Sequence, residues 1–373
     1  MMEMAKLIDI CDIQYGYAFD SACFTDDNSY PPLVRVRDVK RGFSETFYAG
    51  KYPEEYILHA GNLLIGMDGE FNIARWKSID ALLNQRVCKL VAKEGTNEEY
   101  LRFAMVKELK VIEDKTAFVT VKHLSAKELN KLELDMPSLE EQELRANSLV
   151  NIEKIISLRK EEIRQLDNLI KARFVEMFGD PVSNSFGLPE ATLSELGEFG
   201  RGVSKHRPRN DPELLGGEYP LIQTGDVANA GLYITSYNST YSELGLKQSK
   251  MWDKGTLCIT IAANIAKTAI LEFDACFPDS VVGFVANEKT SNVFIHYWFS
   301  FFQAILESQA PESAQKNINL KILSELKVIV PEKEKQNEFV EFINQVDKSK
   351  VAVQKALDET QLLFDSLMQQ YFG

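Results

Sequence analysis

The sequence repeats itself at a fixed distance of 194 residues, and this repeat constrains the possible folds more than any other feature. The register holds without a gap from residue 61 to residue 179. The matching pairs include Gly61 and Gly255, Leu63 and Leu257, Ile65 and Ile259, Val87 and Val281, Pro137 and Pro331, Gln142 and Gln336, and Phe178-Gly179 and Phe372-Gly373. Further upstream, shorter shifts pair Pro32, Asp38 and Val39 with Pro220, Asp226 and Val227. A shared offset over this length indicates a tandem duplication, so the chain should fold as two copies of one unit.

Each copy begins with short apolar runs separated by Gly, Pro, Asn and Asp, a pattern typical of strands and turns. The predicted strands include residues 32–36, 63–67, 87–91, 257–261 and 281–285. Apolar residues recur at helical spacing in residues 98–109 and 293–306, which we expect to be helices. We therefore predict two similar α+β domains, at residues 1–139 and 190–331.

Each copy ends in a pattern typical of one long helix, at residues 140–179 and 332–373. Its apolar residues recur at alternating steps of three and four, which is the seam of a coiled coil. The seam residues are Leu149, Ile152, Ile156, Ile163, Leu166 and Ile170 in the first helix and Ile343, Val346, Val353, Leu357, Phe364 and Leu367 in the second. Two such helices in one chain most simply pair antiparallel. We therefore predict an antiparallel coiled coil whose pseudo-twofold axis relates the two domains.

Four polar residues interrupt this seam. They are Arg159 and Arg173 in the first helix and Lys350 and Thr360 in the second. A seam closed entirely by its own two helices favours apolar residues at such positions. The interruptions therefore predict that the helix pair is not satisfied by itself and docks further subunits.

Charge and composition bear on the classes of function that remain. The net charge of −13 argues against a general affinity for nucleic acid, so any DNA contact should come from local patches or from a partner. The five cysteines show no C-x-x-C spacing, which disfavours a zinc ribbon and fits a reducing cytoplasm. We find neither a signal-peptide pattern nor a stretch approaching the ~20 apolar residues of a membrane span, and we expect a cytoplasmic protein.

The sequence carries no motif typical of catalysis. It contains no G-x-x-x-x-G-K-[ST] or G-x-G-x-x-G loop, and residues 30–33 (YPPL) lack both ends of the [ND]-P-P-[FYW] motif of amino-methyltransferases. The four histidines show no metal-ligand spacing. Residues 68–70 (DGE) look faintly like a metal cluster, but the second copy has AAN at residues 262–264, which favours a role in specificity or in a turn. We expect no metal site and no catalysis by this chain alone.

Basic and amide side chains gather at corresponding places in the two copies. Arg is the usual bidentate partner of guanine and Gln or Asn of adenine, while Lys, Ser and Thr commonly contact phosphates. The alternative interpretation is a set of solvated, charged loops. The candidates for DNA binding are Arg35, Arg37, Lys40 and Arg41 around the Asp38 turn, with Asp68, Glu70 and Arg86, in the first copy, and Arg201, Lys205, Arg207, Arg209, Gln223, Thr224, Asn264 and Lys267 in the second.

The order of short motifs in both copies resembles the specificity (S) subunit of type I restriction-modification systems. The second copy is similar to the common recognition-domain pattern through residues 193–197 (LSELG), 219–226 (YPLIQTGD), 254–257 (KGTL) and 277–284 (FPDSVVGF). The first copy resembles a divergent branch through residues 16–19 (GYAF), 35–38 (RVRD), 66–71 (GMDGEF) and 83–87 (LNQRV). The resemblance covers nearly the whole chain.

This resemblance implies a non-catalytic DNA reader, in which each of two target recognition domains reads one half of a bipartite site and the helical regions set the gap. Two modification (M) subunits, which bind S-adenosylmethionine and methylate adenine at N6, would dock on it. Restriction (R) subunits, with ATP- and Mg-dependent translocation and nuclease activity, would join the larger complex. No cofactor is expected on this chain. Because residues 68–70 and 262–264 differ, the two domains should read different sequences and the site should be asymmetric.

Two other classes of function stay open at this point. One is a stand-alone DNA-binding or regulatory protein of the same fold, which the neighbouring genes would distinguish, since M and R genes should adjoin this one. The other is an acidic scaffold for protein interactions with no DNA role, favoured by the net charge of −13 alone. Salt-dependent DNA binding, measured with and without an M subunit, distinguishes the scaffold hypothesis from the two hypotheses that include DNA binding.

Overall fold

The structure, a computed structural model, describes residues 3–115, 122–262, 264–309 and 318–373, without the side chains of residues 3 and 304–309. The chain forms two compact units. Unit 1 consists of Met1–Lys160 with Gln354–Gly373, and unit 2 of Glu161–Val353. Each unit therefore joins one α+β domain to about half of each long helix. The domains and helices predicted from the sequence, in contrast, follow one another along the chain.

Unit 1 contains the first α+β domain and the first half of a long helix, α5. Its elements in chain order are β1 (Glu3–Lys6), α1 (Leu7–Ile10), β2 (Cys11–Tyr15), β3 (Phe24–Thr25), β4 (Leu33–Val34), α2 (Val36–Arg41), β5 (Phe47–Tyr48), β6 (Ile57–Leu58), β7 (Leu63–Gly66), β8 (Asn72–Arg75), β9 (Ala81–Leu83), β10 (Val87–Ala92), α3 (Glu98–Lys115), α4 (Ala126–Leu129), β11 (Glu133–Met136) and α5 (Leu139–Phe178). The main sheet has the strand order β2-β10-β7-β8.

Unit 2 contains the second domain and the first half of the other long helix, α11. Its elements are β12 (Glu190–Thr192), α6 (Leu193–Leu196), β13 (Gly197–Arg201), β14 (Leu215–Leu221), α7 (Thr224–Asn229), β15 (Tyr233–Ile234), β16 (Ser239–Tyr241), α8 (Glu243–Lys247), β17 (Met251–Trp252), β18 (Leu257–Thr260), β19 (Thr268–Leu271), β20 (Ala275–Cys276), β21 (Val281–Ala286), α9 (Asn292–Gln309), α10 (Leu320–Glu325), β22 (Lys327–Ile329) and α11 (Lys333–Phe372). The main sheet has the strand order β13-β21-β18-β19-β15.

The strand register repeats between the units. Ile65 on β7 pairs with Cys88 on β10, and Ile259 on β18 pairs with Val282 on β21. These are the same two positions, because each residue of the second pair lies 194 positions after its counterpart. The predicted pair of similar α+β domains is therefore confirmed.

A short helix replaces the turn and part of the strand predicted around Asp38. The strand at 32–36 was wrong beyond Val34, because helix α2 begins at Val36. The cause is local: the carboxylate of Asp38 accepts the backbone N–H of Arg35 at 2.9 Å, which satisfies a free donor at the helix start. Asp226 does the same for the N–H of Gln223 at 2.8 Å, and α7 follows there.

The two long helices pair antiparallel within each unit. In unit 1, Arg145 near the start of α5 donates to the carbonyl of Tyr371 at 3.1 Å, near the end of α11. In unit 2, the ring of Phe174 lies 5.3 Å from that of Phe339, near the start of α11. Each helix has 40 residues and is about 60 Å long. The predicted antiparallel pairing of the helices is confirmed, and all twelve seam residues are buried or partly buried.

The polar interruptions of the seam are satisfied inside the units. The guanidinium of Arg159 donates to the carbonyl of Ala356 and to the hydroxyl of Thr360. The ammonium of Lys350 lies 2.6 Å from the carboxylate of Asp167. The prediction that these three seam residues are left unsatisfied is therefore wrong, and they give no reason to expect a partner.

At its C-terminal end, α5 departs from the predicted seam. Continuing the predicted steps of three and four past Ile170 leads to Arg173 and Met177, which are only partly buried, whereas Phe174 and Phe178 are fully buried. The rings of Phe174 and Phe178 lie 5.4 and 5.3 Å from that of Phe294 in helix α9. The helix end thus packs into the core of the second domain, where its buried face is set by that domain as well as by the partner helix.

A buried glutamine joins each long helix to its domain. The amide nitrogen of Gln142 donates to the carbonyl of Pro137 at 2.9 Å and more weakly to that of Gly95 at 3.3 Å. Gln336 repeats both bonds in unit 2, to Pro331 at 2.9 Å and to Lys289 at 3.0 Å. Unpaired buried carbonyls are costly, so this residue type is needed at the same place in both copies.

Candidate nucleic-acid interface

Unit 1 carries an open concavity of about 730 Å³, which we call concavity 1. It is lined by Phe19, Ser21, Phe24, Arg35, Val36, Arg37, Lys40, Asp68, Glu70, Asn72, Asn84, Gln85 and Arg86. Helix α2 and the residue before it supply Arg35, Arg37 and Lys40, and the loop after β9 supplies Asn84, Gln85 and Arg86. Six of the seven candidates predicted in the first copy therefore lie around one depression.

Acidic side chains hold part of the basic set in concavity 1. Lys40 lies 2.9 Å from Glu70, and this hydrogen bond lowers the pKa of the Glu70 carboxyl. Asp68 lies 3.6 Å from Arg86 and 2.6 Å from Nδ1 of His123. Arg35 is exposed and makes no ion pair with any residue that the structure describes. The guanidinium of Arg35 is thus available to a ligand, whereas Lys40 and Arg86 must first leave their carboxylate partners.

Unit 2 carries a smaller concavity of about 260 Å³, which we call concavity 2. It is lined by Ser204, Arg209, Asn210, Leu215, Leu221, Gln223, Thr224, Tyr241, Pro278 and Ser280. Gln223 follows β14 and precedes α7, just as Arg35 follows β4 and precedes α2. Ser280 is the counterpart of Arg86 under the shift of 194. The two concavities therefore occupy the same place in the two copies.

The polar groups of concavity 2 are less charged. Arg209 lies 2.5 Å from the carboxylate of Asp279, which Arg207 approaches at 3.7 Å. Arg207 also donates to the carbonyl of Ser204 at 2.6 Å, which braces the loop that carries it. The hydroxyl of Ser204 is buried and has no hydrogen-bond partner in the described part of the chain. Hydroxyl and amide groups dominate the remaining lining.

Six of the predicted candidates do not line either concavity. Arg41 is held by Glu45 at 2.8 Å and lies over the ring of Phe43. The other five are Arg201 on β13, Lys205 and Arg207 in the following loop, and Asn264 and Lys267 in the turn between β18 and β19. Asn264 has a positive φ of 49°, which suits a turn residue. Ala263 beside it lies outside the described residues.

Sequence reasoning missed several polar residues of the concavities. They are Ser21, Asn72, Asn84 and Gln85 in unit 1, and Ser204, Asn210 and Ser280 in unit 2. The repeat could have indicated some of these residues, because residues 84–86 and 278–280 stand at equivalent positions just before a buried strand. The basic charge of Arg86 favoured this residue as a candidate for DNA binding, whereas the uncharged amides of Asn84 and Gln85 gave no such indication.

We also searched the described residues for metal-ligating clusters and for membrane-spanning helices. Across the described stretches, no three His, Cys, Asp or Glu side chains are grouped so as to hold a metal ion. Within the same stretches, no helix is long and apolar enough to cross a membrane.

The concavities combine groups that can recognise nucleic acid. Guanidinium groups in concavity 1 match the two acceptors on the guanine edge, and carboxamides in concavity 2 match the donor and acceptor of adenine. Lysine and hydroxyl groups at either place can bind phosphate. Two equivalent depressions with different linings are suited to two different ligands of one class.

The chain is similar to specificity subunits of type I restriction enzymes. It is 28% identical to the EcoBI specificity subunit of a type I restriction enzyme from Escherichia coli, over 97% of this chain and 84% of that protein. It is 21% identical to the putative MjaX specificity subunit of Methanocaldococcus jannaschii, over 83% of this chain and 71% of that protein.

Solved structures share the fold. The crystal structure of the S subunit of a type I restriction-modification system from M. genitalium superposes with a TM-score of 0.61 at 15% identity, over 100% of this chain and 96% of that one. A chain from a structure on complex assembly and conformational transition of the type I R-M system gives a TM-score of 0.51 at 15% identity, over 99% of this chain and 97% of that one. The model of the type I restriction modification DNA specificity domain matches twice, at residues 1–168 and 190–360, one match in each copy. The chain therefore belongs to the DNA specificity subunits of type I restriction-modification systems.

Proposed function

We propose that each concavity reads one half of a bipartite double-stranded DNA site and that the two halves differ in sequence. One observation carries this proposal: concavities at equivalent places in a duplicated fold have different linings, Arg35 and Arg86 in one against Gln223 and Ser280 in the other. Equivalent placement supports the same task, and different donors and acceptors support different bases.

The net charge of −13 is compatible with this function if partners supply much of the phosphate contact. We propose that the long helices set the gap between the half-sites and dock two M subunits, and that R subunits join the full complex. S-adenosylmethionine, ATP and Mg would then be bound by those partners. This chain would catalyse nothing itself, while the complex acts in the cytoplasm as an adenine-N6 methyltransferase and ATP-dependent endonuclease.

Exposed leucines at equivalent positions support docking of two similar partners. Leu169 in unit 2 is 48% exposed, and its counterpart Leu363 in unit 1 is 51% exposed. Both lie on long helices next to a seam residue, Ile170 and Phe364. Exposed apolar side chains repeated in both copies are suited to one kind of protein partner bound twice.

The function is tested by mapping N6-methyladenine across the genome of cells that have or lack this gene. The expected result is one bipartite, asymmetric sequence motif that is methylated only when the gene is present. Complementation with the intact gene is the control, and it should restore the same motif. Methylation that is unchanged by deletion would contradict the proposal, and a scaffold without a DNA role would then be the better interpretation.

The stoichiometry is tested by native mass spectrometry of the complex with excess M subunit. We expect one S chain with two M chains, and we expect Leu363→Glu to reduce this to one M chain at the same protein concentrations. The cost of burying an unpaired carboxylate in the interface should weaken that site by a factor of at least about 100.

The matched control for this substitution is Val351→Glu. Val351 is 70% exposed on the same helix, but its counterpart in the first copy is Ser157, so no repeated apolar surface includes it. A stable complex with a single M chain in the wild type, or equal effects of both substitutions, would rule out the proposed docking surface.

A further inference from the structure

In unit 1, an ion pair joins the recognition domain to the long helix. Arg102 on α3 binds Glu153 on α5 through two parallel contacts, Nη1 to Oε1 at 3.1 Å and Nη2 to Oε2 at 2.6 Å. The remaining guanidinium nitrogen, Nε, donates to Glu99 at 2.7 Å. The Arg102 side chain is only 13% exposed, whereas that of Glu153 is 40% exposed, so the pair is partly buried. Bidentate pairs of this kind define an orientation as well as a distance.

The pair is anchored deeper in the domain. Arg75 on β8 donates to Glu99 and lies 3.3 Å from Glu98, and it also donates to the carbonyl of Gly61 at 2.6 Å. The chain of contacts runs from the main sheet through α3 to α5. A rotation of the domain on the helix would therefore have to break several charged hydrogen bonds together.

In the described part of the second copy, the equivalent residues form no such ion pair. The counterparts of Arg102 and Glu153 are His296 and Asp347. Burial lowers the pKa of His296 to about 4, so the ring is neutral at pH 7, and its Nδ1 lies 3.0 Å from the hydroxyl of Thr268. No ion pair joins His296 to Asp347 in the described residues of unit 2.

We propose that Arg102 and Glu153 are positioning residues that fix the orientation of the first recognition domain on α5 and so restrict the spacing at which its half-site is read. This inference rests on the proposed function, in which concavity 1 reads one half-site. Glu153 lies in the part of α5 that belongs to unit 1, so the pair sets the angle at which the first recognition domain meets this helix. One base pair of added spacing displaces a half-site by about 3.4 Å and rotates it by about a tenth of a turn.

The test compares DNA duplexes whose half-sites are constant and whose spacer differs by −1, 0, +1 or +2 base pairs. Binding and methylation are measured with the full chain in complex with the M subunit. We expect Glu153→Gln, which preserves side-chain shape, to reduce the preference for the native spacer over its neighbours by about tenfold. The half-site sequences should not change.

Two further variants keep the result interpretable. Glu161→Gln is the matched control, because Glu161 lies on the same helix and its ion pair, with Arg164 at 2.6 Å, stays within that helix. It should leave the spacer preference unchanged. The double variant Arg102→Glu with Glu153→Arg reverses the pair, and we expect it to recover part of the preference that Glu153→Gln loses.

Each other outcome is decisive. If Glu153→Gln weakens binding equally to duplexes with every spacer length, or leaves the spacer preference intact, the ion pair has no positioning role. The inference is then overturned, while the proposed function still stands. If the wild-type complex shows no requirement for either half-site, the proposed function fails, and this inference fails with it.

Discussion

Replacing residues 190–331 with the equivalent segment of another specificity subunit is expected to change one half of the methylated DNA motif completely and to leave the other half unchanged. Every residue that lines concavity 2 lies between Ser204 and Ser280, inside the exchanged segment. Every residue that lines concavity 1 lies between Phe19 and Arg86, outside it. The measurement is sequencing of N6-methyladenine sites in cells that express the hybrid chain with the M subunit.

The structure also specifies how such a hybrid must be built. The second domain rests on the long helices through Phe294, whose ring lies 5.4 Å from that of Phe174. The donor segment should therefore retain an aromatic residue at this place, since truncating a buried aromatic costs about 3–5 kcal/mol. The reciprocal exchange of residues 1–139 is the control. A hybrid in which both half-sites change together would contradict independent reading by the two domains.

The repeated strands and helices were predictable from the sequence because a buried face requires apolar residues at regular spacing. Strands β7 and β10 and their counterparts stand in mainly apolar runs, interrupted by Lys89 and Thr260, and the seam of the long helices follows steps of three and four. Where a helix meets a second neighbour the period alone is insufficient. Phe174 and Phe178 are buried by the domain core, one position beyond the predicted frame at Arg173 and Met177.

The candidate site was harder to predict, since surface depressions leave no periodic trace in the sequence. The helix α2 arises from one hydrogen bond of Asp38, a local effect that the apolar pattern around it obscures. The amides Asn84 and Gln85 line concavity 1 because β9 ends beside the start of α2, and that adjacency depends on tertiary structure. Duplication is what makes such residues recognisable, since a second copy marks the same place.

Residues 1–179, one complete copy, are expected to form a homodimer that directs methylation of a palindromic site. The seam has the same frame in α5 and α11, so residues 161–179 of a second fragment can take the place of the C-terminal part of α11. A twofold dimer of identical domains must read the same half-site twice in opposite orientation. Sequencing of the methylated sites in cells with the fragment and the M subunit provides the measurement.

The weak point of such a dimer is Arg159. In the full chain its guanidinium donates to the hydroxyl of Thr360, but the counterpart of Thr360 in the first copy is Leu166. The fragment would therefore place a partly buried guanidinium against an apolar side chain at two symmetric positions. Leu166→Thr restores the hydroxyl acceptor beside the backbone carbonyl of residue 162, the counterpart of Ala356, and it should stabilise the dimer by about 1–3 kcal/mol, the range for a hydrogen bond to a charged group.

A matched substitution distinguishes this effect from a general tolerance of threonine in the seam. Ile170→Thr changes the next seam residue, whose counterpart Phe364 lies 6.1 Å from the ring of Phe103 in unit 1. It should weaken the dimer, because it removes apolar contact and supplies an acceptor where no charged donor needs one. Sedimentation equilibrium of the three fragments measures all these changes. A fragment that stays monomeric in every form would show that the shared seam frame is insufficient for pairing, and methylation of an asymmetric site would show that the dimer lacks twofold symmetry.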